Sequence, residues 1–194
     1  MSTPLGTRDR LIRTASRLMT HGGYESTPVK QLVKEAEATL GSLYHFFPGG
    51  KQELAVAAIA FGDEEFAEVL ALGLASRTDP AEAVEAVAVL LADALRDSAW
   101  LDGCPVTATA LESVGRMPDL QAACAVAVAN WRRLVRERLT AGGLPEEDAR
   151  DLAVTVISTL EGAEMAAQVE QSQTPLLLAG RHLARLIRSY APAP

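Results

Sequence analysis

The sequence has few of the residues that build covalent or metal-held scaffolds. Its two cysteines, Cys104 and Cys124, are too few among 194 residues for a disulfide framework, and we expect both to be small buried apolar residues. The three histidines, His21, His45 and His182, are scattered and have no ligand-like partner at helical spacing. We therefore expect no metal site and no bound cofactor.

Long apolar runs and catalytic motifs are missing as well. No stretch approaches the roughly 18 apolar residues that cross a bilayer, and residues 1–13 lack the apolar core of a signal peptide. A soluble, cytoplasmic protein with no membrane partner is expected. There is no Gly-x-Ser-x-Gly elbow, and carboxylate pairs such as Glu64-Glu65 resemble solvated helix starts. These absences argue against an enzyme.

Acidic residues are in excess overall, but not at the N-terminal end. The formal net charge is −7, which argues against a protein that coats nucleic acid with its whole surface. Residues 1–60 nevertheless hold seven basic and five acidic residues, whereas residues 61–194 hold eleven basic and twenty acidic ones. All three lysines, Lys30, Lys34 and Lys51, lie in the first segment. This asymmetry indicates one end that faces nucleic acid and one that does not.

Apolar residues recur with helical period along almost the whole chain, and no useful length alternates with the period of a strand. In residues 7–23, for example, Leu11, Ile12, Ala15 and Met19 share one apolar stripe that ends at a Gly-Gly pair. We predict an all-α fold of about nine helices. The later helices are expected at about residues 80–98, 104–115, 119–140, 145–171 and 174–190.

Two short helices and a long one are expected after the first. Thr27 is the predicted N-cap of the second helix, with Pro28 in its first turn, and Thr39 caps a third that runs to about Phe46. The fourth starts near Lys51 and runs toward residue 75. Three short helices with a tight break between the second and third predict a helix-turn-helix, whose third helix lies in the major groove of DNA.

The third helix contains most of the side chains expected to touch DNA. Leu43 and Phe47 have the spacing of core residues, which turns the remaining positions outward. Gly41 lets the backbone approach DNA closely, Leu40 can touch a thymine methyl group, and Tyr44 can donate to a phosphate. The candidate DNA-binding residues are Thr27, Pro28, Lys30, Thr39, Leu40, Gly41, Ser42, Tyr44, His45 and Lys51.

A spaced pattern is formed by Tyr24, Thr27, the motif GSLYHFF at residues 41–47 and the motif KQEL at residues 51–54. With this pattern, residues 7–54 resemble the DNA-binding domain of the TetR family of transcriptional regulators. The resemblance implies a helix-turn-helix domain at residues 1–50 and an effector-binding and dimerisation domain at residues 51–194. It also implies a homodimer whose partner is a palindromic, double-stranded operator DNA.

Two positions depart from the family's pattern. Family members usually have Ala-Gly-Val between the second and third helices, where this chain has Ala36-Glu37-Ala38. We expect the turn either to tolerate a residue other than glycine or to bend differently, and Glu37 brings negative charge near the expected phosphates. Phe46 stands where a second histidine is common, so one polar contact is expected to be missing.

The C-terminal part resembles the LmrA/YxaF branch of the same family in GCPVTATALE at 103–112, in Trp131 and in LEGA at 160–163. The resemblance implies a small hydrophobic effector held between helices. The candidate effector-binding residues are Phe66, Leu70, Trp100, Cys104, Glu112, Met117, Trp131 and Met165. The last two helices are apolar over a wide arc, so a second copy of the chain is the expected partner. The candidate dimer-interface residues are Leu160, Ala163, Ala167, Leu177, Leu183 and Ile187.

The sequence thus predicts a DNA-binding transcriptional regulator, a repressor that releases its operator when the effector binds. One alternative is a DNA-binding regulator with no small-molecule effector, controlled by its abundance or by a protein partner. Another is an all-α enzyme that has kept a vestigial helix-turn-helix, for which Glu37 is the only support. A filled C-terminal core would favour the first alternative, and turnover alongside loss of DNA binding would favour the second.

Overall fold

A computed structural model describes residues 5–104 and 106–190, and these residues hold nine α-helices and no β-strand. The predicted all-α class and number of helices are confirmed. None of the described helices is long and apolar enough to cross a membrane. In chain order the helices are α1 (Thr7–Gly22), α2 (Val29–Glu35), α3 (Leu40–Phe46), α4 (Lys51–Ala75), α5 (Pro80–Asp97), α6 (Thr107–Ser113), α7 (Pro118–Ala141), α8 (Glu146–Glu170) and α9 (Thr174–Tyr190).

The starts of the two short N-terminal helices test the predicted caps. Thr39 is the N-cap of α3, and its side-chain oxygen accepts a hydrogen bond from the Ser42 N–H at 3.0 Å, as predicted. The predicted cap at Thr27 is wrong, because α2 begins one residue later with Pro28 as its N-cap. The Thr27 side chain is instead buried, and its hydroxyl donates to the Gly23 carbonyl at 2.9 Å.

The chain forms two compact units, and the first comprises residues 1–64 and 104–127. It contains α1, α2, α3 and α6 together with the first parts of α4 and α7. Its core is built from one side of each short helix. Fully buried members of this core include Leu11, Leu32, Leu43, Phe47 and Leu54. With these side chains inside, the opposite sides of α2 and α3 are left to solvent.

The second unit comprises residues 65–103 and 128–194. It contains the later parts of α4 and α7 with α5, α8 and α9. Small residues let α5 and α9 approach closely, since a methyl group added at Gly180 would lie 2.7 Å from Ala88 Cβ. Trp131 is the largest fully buried side chain of this unit. The two units do not coincide with the predicted division at residue 50, because α6 and part of α7 belong with the N-terminal helices.

Candidate nucleic-acid interface

Helix α3 separates its side chains into a buried side and an exposed one. Leu43 is fully buried and Phe47 nearly so, which anchors the helix to the core of the first unit. Tyr44 is 55% exposed, and Leu40 and His45 are exposed on the same short helix. The structure therefore places these three predicted DNA contacts where a partner outside the chain can reach them.

The start of α3 is held by two hydroxyl groups. Besides accepting from the Ser42 N–H, Thr39 Oγ1 lies 2.9 Å from the Ser42 hydroxyl oxygen, so the two hydroxyls share a hydrogen bond. Gly41 lies two residues after Thr39 and is exposed. Outside the backbone of α3, a methyl group at Gly41 would meet only Thr39 Oγ1 among the described residues, at 3.6 Å, which is ordinary van der Waals contact. Nothing that the structure describes within the chain therefore requires a glycine here.

The ring of Tyr44 is positioned by the turn that follows α3. Gly50 has φ 69°, a left-handed conformation that favours glycine. A methyl group there would lie 3.2 Å from Tyr44 Cε1, closer than such contacts usually are. Because Gly50 has no side chain, the Tyr44 ring can pack against it, and this contact limits the directions in which the Tyr44 hydroxyl can point.

The turn between α2 and α3 keeps the geometry that glycine normally supplies. Glu37 has φ 49°, and the Ala38 N–H donates to the Val33 carbonyl while the Glu37 N–H donates to the Lys34 carbonyl. These two bonds form a Schellman motif, the usual left-handed end of a helix. Of the two expectations for this turn, tolerance of a residue other than glycine therefore describes the structure.

A side chain from α1 secures the same turn. Arg10 Nε donates to the Ala36 carbonyl at 2.9 Å, and its Nη2 donates to the Glu37 carbonyl at 3.1 Å. In a third bond, Nη1 donates to the Leu5 carbonyl at 3.0 Å. A left-handed conformation costs a residue other than glycine roughly 1–2 kcal/mol, and bonds of this kind help to hold it.

The remaining predicted DNA contacts differ in their accessibility. Pro28 and Lys30 are exposed at the start of α2. Thr27 is buried, so its hydroxyl is not presented to a phosphate. Lys51 is half-buried, with Nζ 4.0 Å from the centre of the Tyr24 ring. Burial lowers the pKa of Lys51, while the carboxylates of Glu25 and Glu112 act in the opposite direction.

Comparison with known proteins identifies this arrangement. Residues 11–58 match the model of bacterial regulatory proteins of the tetR family, and residues 80–182 match the C-terminal domain of LmrA/YxaF-like transcriptional regulators. The chain belongs to the TetR family. The uncharacterised HTH-type transcriptional regulator YxaF of Bacillus subtilis is 32% identical over 181 residues, covering 93% of this chain and 95% of YxaF.

Two further matches agree with this assignment. The HTH-type transcriptional regulator LmrA of Bacillus subtilis is 32% identical over 170 residues, 88% of this chain and 90% of LmrA. A crystal structure of a TetR transcriptional regulator from Chloroflexus aurantiacus has a TM-score of 0.77 and 30% identity, covering 94% of each chain. The chain is therefore a DNA-binding transcriptional regulator of the TetR family and not an enzyme.

The predicted effector-binding residues of this TetR-family chain are divided between the two units. Cys104, Glu112 and Met117 belong to the first, and the other five belong to the second. Phe66 and Trp131 are buried and in ring contact, with centroids 4.4 Å apart. Leu70 is buried, Trp100 is half-buried and Met165 is 58% exposed. The structure thus brings one aromatic pair of the eight residues into ring contact.

Three buried polar atoms in the second unit have no hydrogen-bond partner among the described residues. These are Trp131 Nε1, Arg132 Nε and Glu164 Oε2. Burial raises the pKa of Glu164 to about 8, and the nearby carboxylate of Glu161 adds to the rise. A carboxyl oxygen of Glu161 lies within 4.8 Å of one of Glu164. A buried donor or acceptor without a partner is costly, so each atom is a place where a ligand could supply one.

The predicted dimer-interface residues lie mostly inside their own unit, and this prediction needs correction. Leu160, Ala167, Leu183 and Ile187 are buried, and Ala163 and Leu177 are half-buried. Both helices also carry apolar side chains that are exposed. They are Val154, Met165 and Val169 on α8, and Leu178, Leu186 and Tyr190 on α9. Spacings of 11 and 4 residues on α8, and of 8 and 4 on α9, place each set on one face of its helix.

Sequence reasoning missed the role of two residues in the first unit. Arg10 was part of a basic N-terminal segment with no distinguishing pattern, yet it holds the turn before α3. Glu112 was a candidate for effector binding, yet its carboxylate accepts hydrogen bonds from the backbone N–H groups of Tyr24 and Glu25. The signal for Glu112 was its charge in an apolar segment, which marked the position as unusual without indicating the partner.

Proposed function

We propose that this TetR-family regulator is a ligand-responsive repressor that binds a palindromic operator as a homodimer and releases it on binding a small hydrophobic effector. The observation that carries the operator-reading part is Gly41, a glycine kept on the exposed side of a seven-residue helix. Glycine inside a helix costs roughly 0.5–1 kcal/mol relative to alanine. Since no described contact within the chain requires it, close approach of DNA backbone or bases explains it.

The exposed apolar faces of α8 and α9 support the homodimer. A face that carries Val169 at 79% exposure beside Met165 is costly to leave in water. Two copies of the α8–α9 pair would bury these faces against each other in a four-helix interface. A two-fold dimer would present two copies of α3 to successive major grooves, about 34–36 Å apart or a multiple of that distance.

The buried aromatic pair supports an effector in the second unit. Trp131 Nε1 is a buried donor without a described acceptor, and Phe66 lies against the same ring. A small hydrophobic molecule with one hydrogen-bond acceptor could satisfy the N–H group while its apolar part replaces the ring contact. Coupling between effector and operator of about 1–3 kcal/mol would suffice for regulation.

The test begins with selection of DNA by the purified protein from a random duplex library. The selected duplex and a scrambled duplex are then titrated at several salt concentrations, with the stoichiometry measured by sedimentation. We expect a palindromic consensus, two chains per site and strong salt dependence. Lys51→Ala should weaken binding to both duplexes alike and flatten the salt slope by about one unit. Equal binding of both duplexes by the wild-type protein, or one chain per site, would contradict the proposal.

A second candidate function is a DNA-binding regulator with no effector. It is favoured by the contact between the rings of Phe66 and Trp131, both buried, which is also the arrangement of an ordinary core. The two candidates differ in a ligand screen by thermal shift followed by operator titration. A compound that raises the melting temperature and releases the selected duplex supports the effector, provided that Trp131→Phe weakens its binding. A broad apolar library without such a compound supports the second candidate.

A further inference from the structure

Helix α6 contacts the helix-turn-helix through one carboxylate. The Tyr24 N–H donates to Glu112 Oε2 at 2.6 Å, and the Glu25 N–H donates to the same oxygen at 3.1 Å. Both donors lie in the turn between α1 and α2, whereas Glu112 is near the end of α6. All of these residues belong to the first compact unit. A single side chain therefore fixes two consecutive backbone groups far away in the sequence.

Charged side chains surround this contact. Arg116 Nη2 is 3.1 Å from Glu25 Oε1, so an ion pair forms a second connection, between the same turn and the segment after α6. The Lys51 ammonium lies over the Tyr24 ring; burial lowers the pKa of Lys51, and Glu25 and Glu112 act in the opposite direction. The turn at residues 23–25 thus contacts α6 through the Glu112 carboxylate, the segment after α6 through the ion pair, and the start of α4 through the cation–π contact.

The backbone at Gly23 fits the carboxylate. Gly23 has φ 77°, and a methyl group at this position would lie 2.7 Å from Glu112 Oε1. Such a distance is too short for a carbon and an oxygen that are not bonded, so one of them would have to move. The glycine that ends α1 therefore leaves the space that the Glu112 carboxylate occupies.

The same turn leads directly into α2. The Thr27 hydroxyl donates to the Gly23 carbonyl at 2.9 Å, and this hydrogen bond joins the two ends of the segment at residues 23–27. The segment directly precedes α2, the first helix of the helix-turn-helix (α2 and α3). Exposed Pro28 and Lys30 follow at once. A shift of this segment would displace α2 and, with it, the turn that sets the direction of α3.

We propose that Glu112 is a positioning residue for operator binding: its carboxylate holds the 23–25 turn and so keeps α2 and α3 in the pose that reads DNA. The inference rests on the proposed binding of a specific operator. The Glu25 N–H is exposed and the Tyr24 N–H is partly buried, so water can replace the carboxylate. Loss of Glu112 should therefore change the pose more than the stability of the unit.

The first experiment compares Glu112→Ala, Glu112→Gln and, as a matched control, Glu170→Gln at the exposed end of α8. Affinity is measured for the duplex selected by the wild-type protein and for a scrambled duplex, with hydrogen exchange of residues 23–25 and the melting temperature. We expect Glu112→Ala to bind the selected duplex about tenfold or more weakly, as loss of bonds to a charged group predicts, with little change on the scrambled duplex. Exchange at residues 23–25 should rise. Glu112→Gln keeps an acceptor oxygen and should recover part of the affinity.

Several outcomes separate a failed inference from a failed function. If the wild-type protein selects no sequence, the proposed function fails. If the wild-type protein selects a sequence and Glu112→Ala binds that duplex as tightly as wild type, Glu112 does not position α2 and α3. If Glu112→Ala does not fold, Glu112→Gln is measured in its place, because it keeps one acceptor oxygen for the two N–H groups. If Glu112→Gln binds the selected duplex as tightly as wild type while hydrogen exchange at residues 23–25 is faster, the inference is again overturned.

A double-mutant cycle gives an independent readout. Gly23→Ala introduces a carbon against Glu112 in the wild-type background but not in the Glu112→Ala background. The loss of affinity caused by Gly23→Ala should therefore be smaller in the second background, by about threefold or more, which is typical of residues in contact. Equal losses in both backgrounds would show that the two positions act separately and would overturn the inference.

Discussion

Helices α3 and α9 both have an inward and an outward side, but their sequences reveal those sides unequally. In α3, Leu43 is buried while Leu40 and Tyr44 are exposed, as the core spacing of Leu43 and Phe47 predicted. In α9, Leu183 is 3% exposed and Leu186 is 36% exposed, although both are leucines. The buried side of a short helix with few apolar core residues can be predicted from its sequence. A helix with apolar residues on both sides has two candidate buried sides, and the helices that pack against it determine which one is buried.

The largest expected effect tests this difference within α9. Leu183→Ala should lower the free energy of unfolding by about 2–5 kcal/mol, because it removes a fully enclosed side chain. Leu186→Glu combined with Leu178→Glu should leave the chain folded but shift it from dimer to monomer, because charge is placed on two of the exposed apolar positions of α9. Urea unfolding and sedimentation velocity measure the two quantities. A fully dimeric double variant would place the interface elsewhere.

The same contrast explains which parts of the molecule could be read from the sequence. Helix ends follow from local chemistry, so the long helices and the Thr39 cap were predicted close to their observed positions. The Thr27 cap failed because a competing acceptor, the Gly23 carbonyl, lies four residues away. The role of Glu112 depends on donors 87 and 88 residues distant, and no local periodicity encodes such a contact.

The inward side of α8 carries a titratable group, and its effect on stability should depend on pH. Because the pKa of Glu164 is raised to about 8 in the folded chain, the folded state retains a proton that the unfolded state loses near its ordinary pKa. Stability from this group is therefore present at low pH and is lost as pH rises toward 8, by an amount on the order of a few kcal/mol. Glu164→Gln should flatten the dependence of unfolding free energy on pH between about 5 and 8.

Glu170→Gln is the matched control for that experiment, since Glu170 is exposed at the end of the same helix. It should retain the wild-type dependence on pH. If Glu164→Gln shows the same slope as wild type, the buried carboxyl is already ionised in the folded chain and its assigned environment is wrong.

The outward side of α3 should affect DNA binding and leave assembly unchanged. Tyr44→Ala is expected to weaken binding to the selected duplex about tenfold, the effect of losing one hydrogen bond to a charged phosphate. The dimer should persist in sedimentation. Val126→Ala, an exposed apolar position on α7, serves as the control and should bind as wild type. A monomeric Tyr44→Ala protein would mean that the ring, which rests against Gly50, supports the fold instead.

Gly41 offers a smaller test in which stability and function move in opposite directions. Gly41→Ala should stabilise the protein by about 0.5–1 kcal/mol, because alanine is the better helix residue and the position has room for a methyl group. It should at the same time weaken binding to the selected duplex, because the methyl group separates the backbone of α3 from DNA. Urea unfolding and anisotropy titration of one preparation give both numbers. Unchanged or tighter binding would remove the main support for close approach at this position.

The smallest expected effect lies in the turn that joins α2 to α3, where strain and charge can be separated. Glu37→Gly should remove the strain of a left-handed conformation at a residue other than glycine. Because glycine also has greater freedom in the unfolded chain, the net increase in the free energy of unfolding should be roughly 0.5 kcal/mol. The bonds from Arg10 reach backbone carbonyls, so they survive the change. Glu37→Gln removes the charge but keeps the strain. Both variants should bind the selected duplex more tightly than wild type, whereas only Glu37→Gly should unfold at higher urea. If Glu37→Gln gains no affinity at low salt, the carboxylate lies too far from the phosphates to affect binding, and the DNA-contacting surface does not extend to this turn.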